Sequence, residues 1–128
     1  MPKTQSIHDL QEFLSGFNSD SEVIAILKRI GVRPSRALGQ NFLVDEGVSE
    51  SIVGSLNLSC DDTVIEIGPG LGSLTRHLVG KVKRLILIEF DRKIYDYLND
   101  VLSDRNEVVV LHQDAVDFDL RGLFAESS

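Results

Sequence analysis

Apolar positions divide the chain into two textures. Up to about residue 60 they recur at helical intervals. Ile7, Leu10, Leu14 and Phe17 predict a short amphipathic helix. GFNSDSE breaks it, and Ser19 followed three residues later by Glu22 fits a capping box that restarts the chain as a helix. Val23, Ile24, Leu27 and Ile30 supply the apolar face of that second helix, Gly31 its stop, and Pro34 lies just beyond. Asp45 is placed to cap a third helix carrying Val48, Ile52, Val53 and Leu56.

From Thr63 the apolar residues become near-continuous. TVIEIG, RLILIEF and EVVVLH read as buried strands. A helix near Ser73–Val79 separates the first two. A second over Arg92–Leu102, with Ile94, Leu98, Val101 and Leu102 on one side, separates the last two. Strand–helix–strand–helix–strand is the alternation of a doubly wound parallel sheet, so the expected class is α/β. In such sheets the carboxyl ends of the strands share one edge, where ligands bind.

That edge gathers three chemical features. VIEIGPGLGSLT places Gly68, Gly70 and Gly72 directly after the first strand. A glycine turn lets a ligand lie against the backbone, and a following helix start offers free N–H groups. Glu89 ends the second strand, about 20 residues on, where an acid is expected to accept from ribose hydroxyls. Asp91 is a rival for that role, disfavoured by its spacing. Asp114, just past the third strand, can accept from an adenine amino group. Together they describe a pocket for an adenosine-like ligand. Nicotinamide folds use G-x-G-x-x-G. Here the glycines run G-x-G-x-G, Ser73 takes the last place, and Glu66 precedes the first glycine by two. E-x-G-x-G-x-G is the form usual in class I methyltransferases that use S-adenosylmethionine.

Composition narrows the picture little. The chain has 128 residues and a formal net charge of −7, which argues against a surface that coats nucleic acid everywhere. KRIGVRPSR is a local exception, basic without an acid: a solvated loop or a phosphate contact. No apolar run approaches the roughly 18 residues of a membrane span, and no secretory signal pattern opens the chain. The single cysteine, Cys60, reads as packing rather than nucleophile, and a reducing, cytoplasmic location is expected. The three histidines lack ligand spacing, so no metal is expected. Tyr95 and Tyr97 point different ways and make no stacking platform.

LGQNFLVD, Leu38 to Asp45, taken with EIGPGLGSLT and HQDA, resembles the ribosomal RNA adenine dimethyltransferases of the KsgA family, from about Asp20 to Phe118. The resemblance implies the first half of a class I methyltransferase Rossmann-like sheet. Residues 1–36 would form an N-terminal helical extension with a basic end. Residues 37–128 would form a partial S-adenosylmethionine-binding domain. It implies that Asn41 and Leu43 help hold the cofactor from above, that Gly68 lies against its methionine part with Gly70 allowing the approach, that Glu89 holds the ribose, and that Asp114 meets the adenine amino group. Phe90 and Ala115 are candidate walls for the ring by position, and Arg33 and Arg36 candidate RNA contacts. The implied reaction is dimethylation of the exocyclic amino groups of two adjacent adenosines in small-subunit ribosomal RNA, on an immature subunit, with each base taken out of its stack. Aligned groups and acceptors on the amine would supply the rate.

The family's Asn-Leu-Pro-Tyr-type motif after a fourth strand is not found; Asn57–Ser59 is no substitute, so no catalytic residue is assigned. The chain is therefore expected to be a cofactor-binding fragment that cannot methylate RNA alone. Its first strand, central in the family sheet, is expected to self-associate along an unpaired edge or to be covered by the N-terminal helices. The alternatives are a large-subunit, macrolide-resistance type of methyltransferase, a nicotinamide-dependent oxidoreductase, and a non-catalytic transcription-factor relative of the fold.

Overall fold

The computed structural model describes residues 6–17, 19–33, 46–114 and 116. Three helices come first: α1 (Ser6–Ser15), α2 (Asp20–Ile30) and α3 (Glu46–Ser55). An alternating unit follows: β1 (Thr63–Ile67), α4 (Thr75–Leu78), β2 (Arg84–Glu89), α5 (Arg92–Val101) and β3 (Val108–His112). The strands form one parallel sheet in the order β1-β2-β3. Ile65 faces Ile86, Ile67 faces Ile88, and Glu89 faces His112 across the ladders. The β-branched strand sequences suit this sheet, and the central strand β2 is buried along nearly its whole length. No helix among the described residues is long and apolar enough to cross a membrane.

The helix boundaries follow local chemistry. The Ser19 side chain accepts from the Glu22 N–H at 3.3 Å, and Gly31 closes α2 at φ 81°, the left-handed region that favours glycine. Asp91, weighed above as a ribose ligand, caps α5 instead: its Oδ1 accepts from the Lys93 and Ile94 N–H groups at 2.9 and 3.0 Å. The helix after the glycine turn is shorter than expected. It begins at Thr75, after consecutive turns through residues 70–74. So short a helix has little dipole to add to the free N–H groups at its start.

The main core cluster takes its strand residues from one face of the sheet, Val64, Leu85, Leu87, Val108 and Val110, while Ile86 and Ile88 of β2 are buried on the opposite face. Phe13 and Phe17, Val23 and Leu27 of α2, and Ile94, Leu98 and Val101 of α5 close over the first of these faces. The apolar stripes of the first three helices differ from the expected ones. In α1 it is Phe13 that is buried, while Leu14 is exposed. In α2 Ile26 replaces Ile24. In α3 Val53 and Ser49 turn inward, whereas Val48, Ile52 and Leu56 stand outside. A short helix carries several stripes at i, i+3 and i+4, and the tertiary partner chooses among them. α1 packs on α4 and α5, and α2 on α5. Covering of β1 by these two helices is not their principal contact. Among the described residues β1 pairs with β2 alone and is an edge of the sheet.

Candidate cofactor-binding rim

At the carboxyl end of the sheet the chain leaves β1 through Gly68, whose N–H donates to the Ile88 carbonyl at 2.9 Å and so prolongs the β1–β2 ladder by one residue. Gly68, Gly70 and Gly72 all have positive φ, at 67°, 58° and 88°. Their surroundings differ. Among the described residues a Cβ on Gly68 would meet nothing within 4 Å, so its face is open to them for close approach. Gly70 gives its N–H to Glu89 Oε1 at 3.2 Å. A Cβ on Gly72 would lie 2.3 Å from Cζ of the Phe13 ring, so this glycine exists to admit a helix residue.

Glu89 organises the rim. One carboxylate oxygen accepts from Gly70 and the other from the Asp91 N–H at 2.9 Å. The residue is only 7% exposed, yet both of its oxygens have backbone donors, which is what makes a buried carboxylate tolerable. Each oxygen keeps a further lone pair, so the side chain can hold the glycine turn and accept from a ligand hydroxyl together. Asp114 lies two residues past His112, the ladder partner of Glu89, and the Gln113 N–H donates to the Glu89 carbonyl at 3.0 Å. The fold therefore brings Gly68, Gly70, Glu89 and Asp114 to one end of the sheet. Asp114 is exposed, with Oδ1 accepting from the Val116 N–H at 2.9 Å. Phe90 stands 70% exposed beside Glu89, its carbonyl bonded to His112 Nε2 at 2.9 Å. Arg33 is exposed just beyond α2. Asn41, Leu43, Arg36 and Ala115 lie outside the described residues.

A second acid completes the strand ends. Glu66, on the same face of the sheet as Glu89, accepts from the Thr75 hydroxyl at 2.7 Å. Burial pushes its pKa up from 4.5 to about 7; the Thr75 hydrogen bond opposes the rise, and the nearby Glu89 carboxylate adds to it. Between those two values the folded chain binds a proton that the unfolded chain releases. Stability therefore falls as pH rises from about 4.5 to about 7 and stays lowered above. The loss is on the order of 3 kcal/mol at most, before screening by solvent. Glu66→Gln keeps an acceptor for Thr75 without the charge. Urea unfolding should find it more stable than the parent at pH 8.5 and little changed at pH 5; equal differences at both would contradict this assignment.

Two residues important to the turn carry weaker sequence signals. Thr75 holds Glu66 through a side-chain bond that spacing does not reveal. Arg76, flanked by Thr75 and His77, reads in the sequence as an ordinary surface charge, yet it is only 6% exposed, and a charge so buried needs specific partners.

Residues 32–127 match the model of the ribosomal RNA adenine dimethylase family. Among similar proteins, the ribosomal RNA small subunit methyltransferase A of Alkaliphilus metalliredigens is 41% identical over 84% of this chain and 38% of its own length. The corresponding protein of Natranaerobius thermophilus is 38% identical over 84% of this chain and 36% of its own. The chain thus spans less than two fifths of these relatives. Among solved structures, the 23S rRNA methyltransferase ErmE superposes with a TM-score of 0.58 at 30% identity, over 62% of this chain and 32% of that one. A dimethyladenosine transferase from Plasmodium falciparum also reaches 0.58, at 26% identity over 62% of this chain and 30% of that one. With a parallel sheet, a glycine turn fastened to the acid of the second strand, and a family match over three quarters of its residues, the chain belongs to the ribosomal RNA adenine dimethylase family.

Proposed function

We propose that the rim of Gly68, Gly70, Glu89 and Asp114 binds S-adenosylmethionine. The chain is then the cofactor-binding part of an enzyme that dimethylates adenosine amino groups in small-subunit ribosomal RNA. The observation that carries this reading is the carboxylate of Glu89, fixed between the Gly70 and Asp91 N–H groups with lone pairs to spare, next to the open face of Gly68. A ribose diol is the natural acceptor-seeking group for such a carboxylate. The methionine portion would lie over Gly68, and Asp114 would accept from the adenine amino group, with Phe90 available as an apolar wall. Asn41 and Leu43 would close the pocket from the side of the preceding segment, and Arg33 with Arg36 would meet RNA phosphates.

When bound, the cofactor supplies the methyl group. The residues of this chain bind and orient it, so its nucleoside is held before the base arrives. Small-subunit RNA is favoured as the substrate because the curated relatives carry that name. The likeness to ErmE supports large-subunit RNA as the second reading. Self-association along the β1 edge would pair backbone groups that β2 leaves free.

Calorimetric titration separates the cofactor classes. S-adenosylmethionine and S-adenosylhomocysteine are expected to bind with one-to-one stoichiometry, and NADH to give no heat of binding. Binding of NADH without either of the others would overturn the reading.

A further inference from the structure

We propose that Phe13 of α1, with Arg76, is a positioning residue for the cofactor turn: an N-terminal helix outside the family-matched region holds the far limb of the glycine loop in its binding shape. The inference rests on the reading of the rim as the cofactor site.

The two limbs of the turn are fastened differently. The near limb, Gly68 to Gly70, hangs from the sheet through Ile88 and Glu89. The far limb begins at Gly72, whose N–H donates to the Pro69 carbonyl at 3.0 Å. Its Cα face is filled by the Phe13 ring, with Cζ and Cε1 only 2.3 and 2.4 Å from where a Cβ would stand. Phe13 is 2% exposed, so the ring is locked in place. Arg76 then ties the same helix to the same limb. Its Nε donates to the Phe13 carbonyl at 3.2 Å and its Nη1 to the Ser73 carbonyl at 3.3 Å. The guanidinium lies 4.7 Å from the Phe17 ring centre and 5.9 Å from that of Phe13, within cation–π range of both.

A planar fork that grips one carbonyl of α1 and one of the turn fixes their separation. The family match starts at residue 32, so α1 lies entirely before it. Phe13 sits against Gly72 rather than the open face of Gly68, and acts on the ligand only through the turn.

The test compares Phe13→Ala, Phe13→Leu and Leu27→Ala in the full chain. Leu27 is equally buried, in α2. Amide hydrogen exchange is followed over residues 68–73, and S-adenosylhomocysteine affinity by calorimetry at denaturant concentrations that equalise global stability. Phe13→Ala should speed exchange in the turn about tenfold beyond the global change and weaken binding by about the same factor, a coupling typical of linked sites. Phe13→Leu should recover part of both, and Leu27→Ala should move neither. If Phe13→Ala does not fold, Arg76→Lys, which keeps the charge and loses the fork, takes its place with the same expectations. Turn exchange that tracks global stability equally in the Phe13 and Leu27 variants would overturn the proposal. If the parent chain binds no S-adenosylhomocysteine, the cofactor reading fails, while the exchange comparison still decides whether α1 holds the turn.

Discussion

Glu89→Ala is expected to weaken S-adenosylmethionine binding by about a hundredfold or more and to destabilise the fold by about 2 to 6 kcal/mol. Both effects come from the same two oxygens. Removing them strands the Gly70 and Asp91 N–H groups, now held at 3.2 and 2.9 Å, and lets the turn drift from the end of β2. A part-buried donor left without an acceptor costs roughly 1 to 3 kcal/mol, and two are lost here. The ligand loses its ribose acceptor in addition. Urea unfolding measures the first effect and calorimetry the second. A variant with unaltered affinity would show that the carboxylate is only a brace for the turn.

The three glycines should separate when each is replaced in turn. Gly72→Ala meets two penalties: a left-handed backbone, costing about 1 to 2 kcal/mol, and overpacking against Phe13, costing about 1 to 3 kcal/mol. Together they should lower stability by about 2 to 5 kcal/mol, a large share of what a domain of this size has. Gly68→Ala meets only the backbone penalty, since none of the described residues lies within 4 Å of the added methyl. Its stability should fall by about 1 to 2 kcal/mol. The methyl would occupy the space assigned to the ligand, however, and affinity should drop at least as far as in the Glu89 variant. The pairing of thermal unfolding with ligand titration thus distinguishes a glycine kept for packing from one kept for binding. Equal behaviour of the two variants in both measurements would remove that distinction.

Much of this arrangement is legible in the chain because the relevant signals are local. β1, β2 and β3 declare themselves as apolar runs, and α5 shows one consistent stripe, Ile94, Leu98, Val101 and Leu102, all buried. Ser19 and Gly31 mark the ends of α2 through bonds to near neighbours. Parallel pairing then sets Glu89 beside the glycine turn, because strands that run the same way bring their carboxyl ends to one edge. What is not legible depends on distant partners. Phe13 rather than Leu14 faces inward because Gly72, far along the chain, leaves a space the ring fills. Asp91 looked like a spare ribose ligand, although an acid just before an amphipathic stretch is as much a cap signal. The shortened α4 reflects consecutive turns through residues 70–74 before helical bonding begins. Thr75, Arg76 and the raised pKa of Glu66 depend on burial, which spacing alone does not measure.

Backbone amide shift mapping of the whole chain during titration with S-adenosylhomocysteine tests the rim most directly. The predicted result is a saturable set of changes centred on Gly68, Gly70, Glu89 and Asp114, together at one end of the sheet, with the amides of α2 unmoved. Saturable changes confined to α1, α2 and the amino ends of the strands, with Gly68 and Glu89 still, would contradict it.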